Sequence, residues 1–261
     1  MVLPVLGEEI GLVAVELATG DEVWRTGAVG YSHSSPVLVE VLGKPRILMV
    51  TAPDPATGSD AAAPSTLVAV EPRSGEVSFR LDLTLTRLPV PTPVRVDEER
   101  VFLTGGYRSG SVLLRLVRGE DEVRLEEEFR IERGAQVHTP LLFDGHLYLV
   151  ANENWNSSRG RRKEGGLLCL SLDGEERWRT GEAPYLGRGS LVRVGDRLLS
   201  QDGLDGTLRL LEASAEGYRL LGEANLLEIR DRRDHNLWAP LAVVGDRVLM
   251  RTQDELICVR F

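Results

Sequence analysis

The chain has 261 residues, a formal net charge of −9, and 42% apolar and 27% charged residues. That balance fits a globular protein and excludes a disordered one, while the acidity argues against a nucleic-acid partner, which needs a positive surface. No apolar run approaches the length of a membrane span, and the opening MVLPVLGEEIG lacks the basic and then apolar pattern of an export signal, so the compartment is unknown from the residues themselves.

Residues 1–27 read as three short strands of an incomplete unit. Within them VAVELATGDEVW (13–24) is a strand, a tight turn and a second strand. The same residue types return at VAVEPRSGEVSF (68–79), where Ala14, Glu16, Gly20 and Trp24 fall on Ala69, Glu71, Gly75 and Phe79 at a constant offset of 55. LLCLSLDGEERW (167–178) keeps the Gly174 to Trp178 spacing but is one residue shorter ahead of its glycine. The small residue lets the strand approach a neighbouring sheet, the glycine supplies the positive φ of a tight hairpin, and the aromatic covers the next unit. Ala14, Gly20, Trp24, Ala69, Gly75, Phe79, Gly174 and Trp178 are therefore expected to be structural, with the aromatics docking adjacent units together.

A second signal interleaves with the first. A small residue and a proline open alternating strands at SPVLVEV (35–41), TPVRV (92–96), TPLLF (139–143) and APLAVV (239–244), and GSLVRV (189–194) is the same element with serine for proline. Pro36, Pro93, Pro140, Ser190 and Pro240 are separated by 57, 47, 50 and 50 residues. Proline is expected at the first residue of each strand, where it removes no interior ladder bond. A short turn and another alternating strand follow each time: RVFLT, HLYLV, RLLSQ and RVLMR. Each period thus holds about four strands with no helical periodicity between them, which predicts an all-β fold, a β-propeller of four-stranded antiparallel blades.

The units run from about 30–83, 88–132, 135–181 and 185–229, with partial blades at 1–27 and 235–261, and together form a single propeller domain over 1–261. The partial blade at the start lacks its innermost strand and the one at the end its outermost. About six sheets in an open or irregular ring are expected, with a tendency to self-associate through the unfilled edges. Cys169 and Cys258 each lie in an apolar run with no disulfide or metal-ligand spacing, which predicts two buried free thiols.

AVELATGDEVW resembles the docking motif of quinoprotein-type propellers, in which Ala, an acid, Gly and Trp recur once per blade. Together with HTPLLFDGHLYLV, GYRSGSVLLRL and LVRVGDRLLSQDGLDGTLRLLEASAEGYRLLGEA, it makes the whole chain similar to bacterial pyrroloquinoline-quinone-like repeat proteins, including relatives of the outer-membrane assembly lipoprotein. The resemblance implies a periplasmic or extracytoplasmic protein. Members that bind the quinone are associated with adjacent cysteines and a calcium site. Cys169 and Cys258 are not adjacent and no calcium constellation can be assembled, so no cofactor is expected, and pyrroloquinoline quinone with calcium stands as the alternative.

In a propeller, the loops between blades and those between each blade's second and third strands converge on one face, where sites are built. The inter-blade set offers Tyr31, His33, Ser34, Gln136, His138, Tyr185, Arg188, His235, Asn236 and Trp238. His33, His138 and His235 each precede an innermost strand and could hold zinc or serve as a base, although packing or hydrogen-bonding roles are the simpler reading. No metal site is assigned.

The mid-blade loops span 52–65, 105–111 (with Arg108), 152–165 and 202–207. Trp155, an aromatic in a polar loop, is either a ligand platform or a lid. The run Arg159, Arg161, Arg162, Lys163 reads as a solvated loop tip, and DGLDG (202–206) as a turn with a weak calcium signal. His33, Arg108, His138, Trp155, Arg188, His235 and Trp238 are the candidate ligand-binding residues.

Three functions compete. The first is a non-catalytic binding or scaffolding propeller for a protein or small-molecule ligand; the second is a quinone-dependent dehydrogenase. The third is a metal-dependent hydrolase or lyase using the channel histidines. No catalytic triad, carboxylate pair or phosphate loop is present.

Overall fold

The structure, a computed structural model, describes residues 1–4, 11–53, 64–120, 122–151, 165–227 and 237–260. Among them every regular element is a β-strand, and the strands form six antiparallel meanders. The first sheet has three strands: β1 (Val2–Pro4), β2 (Leu12–Val15) and β3 (Glu22–Arg25). The second comprises β4 (Val37–Val41), β5 (Lys44–Thr51), β6 (Pro64–Val70) and β7 (Val77–Thr84), and the third β8 (Val94–Arg95), β9 (Arg100–Gly105), β10 (Gly110–Arg118) and β11 (Val123–Ile131). The fourth holds β12 (Leu141–Phe143), β13 (His146–Ala151), β14 (Gly166–Ser171) and β15 (Glu176–Arg179). The fifth holds β16 (Ser190–Val194), β17 (Arg197–Gln201), β18 (Leu208–Glu212) and β19 (Leu220–Ala224). The sixth has three strands, β20 (Ala242–Val244), β21 (Arg247–Arg251) and β22 (Leu256–Arg260).

Two compact units divide these sheets, Met1–Glu132 with the first three and Arg133–Phe261 with the last three. In the first unit, one apolar cluster (Leu12, Ala14, Trp24, Ile47, Met49, Val68) joins the first two sheets, and another (Leu48, Val50, Leu67, Ala69, Leu103, Val112, Leu114) joins the second and third. In the second unit, Tyr148, Leu167, Cys169, Leu191, Leu198 and Leu211 join the fourth and fifth sheets, and Leu199, Leu227, Leu237, Leu241, Val248 and Met250 the fifth and sixth. The middle strands of the second sheet are buried on both faces, with Ile47, Met49 and Val68 turned toward the first sheet and Leu48, Val50 and Leu67 toward the third. Outer strands such as β7 alternate, since only one of their faces is covered.

One regularity has no counterpart in the residue pattern. The last ladder of each of the first five sheets carries a β-bulge, beside Ala14, Ala69, Leu113, Cys169 and Leu210. Opposite those residues stand Trp24, Phe79, Phe129, Trp178 and Gly222. Three of these opposing side chains, Trp24, Phe79 and Trp178, pack at the junction with the following sheet, as the local twist of a bulge allows.

Two expectations need correction. Pro36, Pro93 and Pro140 stand one residue ahead of their strands and Pro240 two ahead, while Ser190 alone is the first residue of its strand. The proline ring sets the approach to the sheet from outside the ladder. Cys169 is buried in β14, but Cys258 is exposed, because it points away from the fifth sheet, on a face of β22 that no described element covers.

Candidate functional site

In the second unit, segments that lead into three successive sheets bring together Gln136, His138, Arg188 and Trp238. The Arg188 Nε–H donates to Gln136 Oε1 at 2.8 Å, and its guanidinium lies 4.8 Å from the centre of the Trp238 ring. Gln136 is buried and Trp238 exposed, so the cation is clamped between a buried amide and an exposed indole. His138 hydrogen-bonds the Arg188 backbone, and its Nε2 is buried without a hydrogen-bond partner. Burial pushes the His138 pKa down to about 4, against the smaller opposing effect of that backbone bond, so the imidazole is neutral at physiological pH.

The chain around Arg188 is packed at backbone distance. A Cβ on Gly189 would come within 2.2 Å of the Gln201 carbonyl oxygen, and one on Gly203 within 2.6 Å of the Arg188 carbonyl carbon. The amides of Gly189 and Gly203 both donate to the Leu186 carbonyl, at 2.8 and 2.9 Å. Only glycine permits this approach. Tyr185 lies against Gly165, and the Ser190 Oγ accepts from the Leu241 amide at 3.0 Å, tying the fifth sheet to the sixth.

The polar end of β17 was missed from the sequence. Ser200 and Gln201 are fully buried, and Ser200 Oγ and both polar atoms of the Gln201 amide have no hydrogen-bond partner. Gln201 sits directly across from Ser190 in the ladder. The available signal was LLSQ, a buried second strand ending in polar residues where β13 ends LVA.

In the first unit, Tyr31 and His33 meet edge to face with ring centres 5.0 Å apart, and the Tyr31 hydroxyl and His33 Nε2 are hydrogen-bonded. Ser34 is buried, and its hydroxyl donates to the Pro91 carbonyl at 3.1 Å. Arg108 is exposed at the tip of the β9–β10 hairpin, where Tyr107 and Arg108 both adopt left-handed backbone, with φ of 58° and 63°. The Arg87 guanidinium lies 5.4 Å from the centre of the Tyr107 ring. Trp155, His235, Asn236 and the basic run at 159–163 lie outside the described residues, as do most of the 52–65 and 152–165 loops.

The docking candidates occupy sheet junctions. Trp24 is buried against the turn of the second sheet, its Nε1–H donating to the Pro72 carbonyl at 3.0 Å and its ring filling the space a Cβ on Gly75 would need. Trp178 lies at the fourth-to-fifth junction, its Nε1–H donating to the Ser214 carbonyl at 2.9 Å and its ring tilted against Tyr148 and Tyr218, with centres 6.3 Å away. Phe79 packs at the second-to-third junction. Gly20, Gly75 and Gly174 take φ of 79°, 74° and 88°, and their amides close the turns onto Glu16, Glu71 and Ser171.

The DGLDG loop makes the same turn. Gly206 donates to the Asp202 carbonyl at 2.9 Å, while the Asp202 carboxylate accepts from the Leu204 amide at 2.9 Å and pairs with Arg209 at 3.2 Å. Its oxygens serve the turn, so the calcium reading of this loop does not fit. The quinone fits no better. Cys169 is inside β14, its thiol pushed up to about 11 by burial, and Cys258 is on β22. Neither can act as half of an adjacent cysteine pair. Among the described residues no three His, Cys, Asp or Glu side chains gather in a metal-binding group, and no helix is long and apolar enough to cross a membrane.

No family model matches the chain, and no curated protein matches it. Solved structures do. BamB from Moraxella catarrhalis aligns over 97% of this chain and 82% of its own, with a TM-score of 0.51 and 15% identity. The periplasmic gluconolactonase PpgL of Pseudomonas aeruginosa aligns over 97% of this chain and 76% of its own, with a TM-score of 0.61 and 13% identity. At such identities the likeness speaks to fold, and the fold is all-β, a β-propeller of six antiparallel sheets.

Proposed function

We propose that the chain is a non-catalytic binding module, with Arg188, Trp238 and the groups around them as its ligand-contacting surface. One observation carries this reading: the Arg188 guanidinium is fixed by Gln136 and Trp238, beside an imidazole held neutral. An immobilised cation on an exposed aromatic is a recognition device, since little side-chain entropy remains to be lost on binding. The structural likeness to BamB favours a protein as the ligand, and the likeness to a periplasmic gluconolactonase favours an extracytoplasmic location.

A second reading is hydrolysis, favoured by the lactonase likeness and by the bare His138 Nε2, which a neutral imidazole offers as an acceptor. The two are separated by one set of proteins: wild type, Arg188→Ala with Trp238→Ala, and His138→Ala. The binding reading expects a partner captured from a periplasmic extract by the wild type and lost by the double variant, with no turnover of δ-gluconolactone. Lactone hydrolysis by the wild type that disappears in His138→Ala would overturn it.

A further inference from the structure

Where the second sheet meets the third, the repeat leaves room. Phe79 stands where Trp24 and Trp178 stand at other junctions, and a cavity of about 540 Å³ opens beside it. Small-molecule sites are typically of this size, roughly 300–1,000 Å³. The floor is continuous with the apolar cluster of the junction, through Val41, Leu42, Phe79, Leu81 and Val123.

The walls are cationic. Lys44 and Arg46 share the face of β5 that carries Leu48 and Val50 into the cluster, and Arg118 shares the face of β10 that carries Leu114 and Leu116. Positive groups therefore reach the cavity from both sheets. Arg80 also lines it, but its guanidinium turns away to the Ala28 carbonyl at 2.8 Å. Elsewhere on the third sheet, arginines pair with carboxylates: Arg100 with Asp97 at 2.7 Å, Arg115 with Glu99 at 2.8 Å and Arg130 with Glu127 at 2.7 Å. The cavity cations do not. Arg118 donates to the Leu42 carbonyl at 2.5 Å and Arg46 to the Pro45 carbonyl at 2.7 Å. Among the described residues neither they nor Lys44 has a carboxylate within ion-pair distance. Glu71 acts on Arg46 from farther off, and one of its oxygens accepts from the Arg73 and Ser74 amides, each at 2.7 Å. Glu120 and Glu122 line the cavity from the exposed β10–β11 turn. In a chain of net charge −9, these cations rest on neutral carbonyls beside an apolar floor, and the fold itself does not neutralise them.

We propose that this cavity binds a small organic anion, a carboxylate or phosphate carried on a flat apolar ring. The anionic group lies among Lys44, Arg46 and Arg118, where charge-assisted hydrogen bonds are available to it. The ring covers Phe79, Leu81 and Val123, offset against the phenyl face. The site lies within residues 41–123, so it stands or falls independently of what the Arg188 cluster binds.

The test is calorimetric titration of the full chain. Naphthyl phosphate and naphthoate should bind, and whichever binds more tightly identifies the head group. Naphthol, which lacks the charge, and inorganic phosphate, which lacks the ring, should bind at least tenfold more weakly. Lys44→Met combined with Arg118→Met removes two exposed side chains, so the fold should survive while the affinity falls at least tenfold. Phe79→Trp puts a larger ring in the place of the ligand's and should weaken binding by at least the same factor. Arg188→Ala with Trp238→Ala should leave the affinity unchanged. Absence of binding by both anions, equal binding of naphthol, or an affinity unmoved by the cavity variants would overturn the proposal. So would loss of binding in the Arg188 and Trp238 double variant.

Discussion

Trp24 does two things at once, filling an apolar junction and donating to the Pro72 carbonyl. Trp24→Ala should cost about 3–5 kcal/mol, and Trp24→Phe, which keeps most of the packing and loses the hydrogen bond, about 1 kcal/mol, as read by chemical denaturation. Gly75 tests the same junction from the other side. Its φ is 74° and an added Cβ would lie 2.5 Å from the Trp24 ring, so Gly75→Ala combines left-handed strain with overpacking, for a loss of about 2–5 kcal/mol. An unchanged melting temperature in Gly75→Ala would show that Trp24 does not sit on that glycine. His138 makes the prediction in pH. Its folded pKa of about 4 is below the unfolded value of 6.5, so the unfolded chain takes up the proton first. Stability is therefore undiminished above pH 6.5, falls as the pH drops through the interval, and has lost its full share below 4. The loss between pH 7 and pH 5 should be about 2 kcal/mol. Burial raises the Asp202 pKa, which acts in the opposite sense, so the clean measurement is the difference between wild type and His138→Asn. If the two lose stability in parallel between pH 7 and 5, His138 is not the group responsible.

The second-to-third junction shows what the repeat does when its docking residue shrinks. Phe79 occupies the place of Trp24 and Trp178, and beside it opens a cavity of about 540 Å³ lined by Leu42, Phe79, Leu81, Arg118, Gly119 and Val123. Arg118 crosses this junction to donate to the Leu42 carbonyl at 2.5 Å. Phe79→Trp should extend into the cavity and bring an Nε1–H toward the β10–β11 turn, as Trp24 does at Pro72, gaining about 0.5–2 kcal/mol. A lowered denaturation midpoint would mean that the cavity is not shaped for the larger ring. The pattern of strands was legible because alternation, turn glycines and the small-proline pairs are local signals. The bulges beside Ala14, Ala69 and Cys169 were not, since a bulge is a property of two strands together. Gln136, His138, Arg188 and Trp238 were legible as members of one converging set of inter-blade residues, but their pairwise contacts were not. Arg188 was visible as a polar residue ahead of a strand, but its bond to Gln136 spans 52 residues of chain and depends on how successive segments pack. The buried amide of Gln201 was hidden for the same reason, because burial of a strand's end is set by its neighbours.

At the scale of the whole molecule, every described ladder and each of the four apolar clusters named above falls within Met1–Glu132 or within Arg133–Phe261. Repetition of one meander explains why. Each sheet buries its faces against the sheets next to it, so stability accumulates from nearest-neighbour junctions rather than from one central core. Residues 1–132 contain two such junctions, one held by Trp24 and one by Phe79, and residues 133–261 contain two more, one held by Trp178 and one by Leu199, Leu241 and Val248. A run of three sheets is enough to enclose the apolar faces of its middle member. Expressed separately, residues 1–132 and residues 133–261 should therefore each give a β-rich circular dichroism spectrum and a cooperative urea transition. In the first piece Trp24→Ala should abolish that transition, and in the second Trp178→Ala should do the same. A piece that remains unfolded without the other, with its tryptophans solvent-exposed by fluorescence, would show that the sheets depend on neighbours outside their own unit.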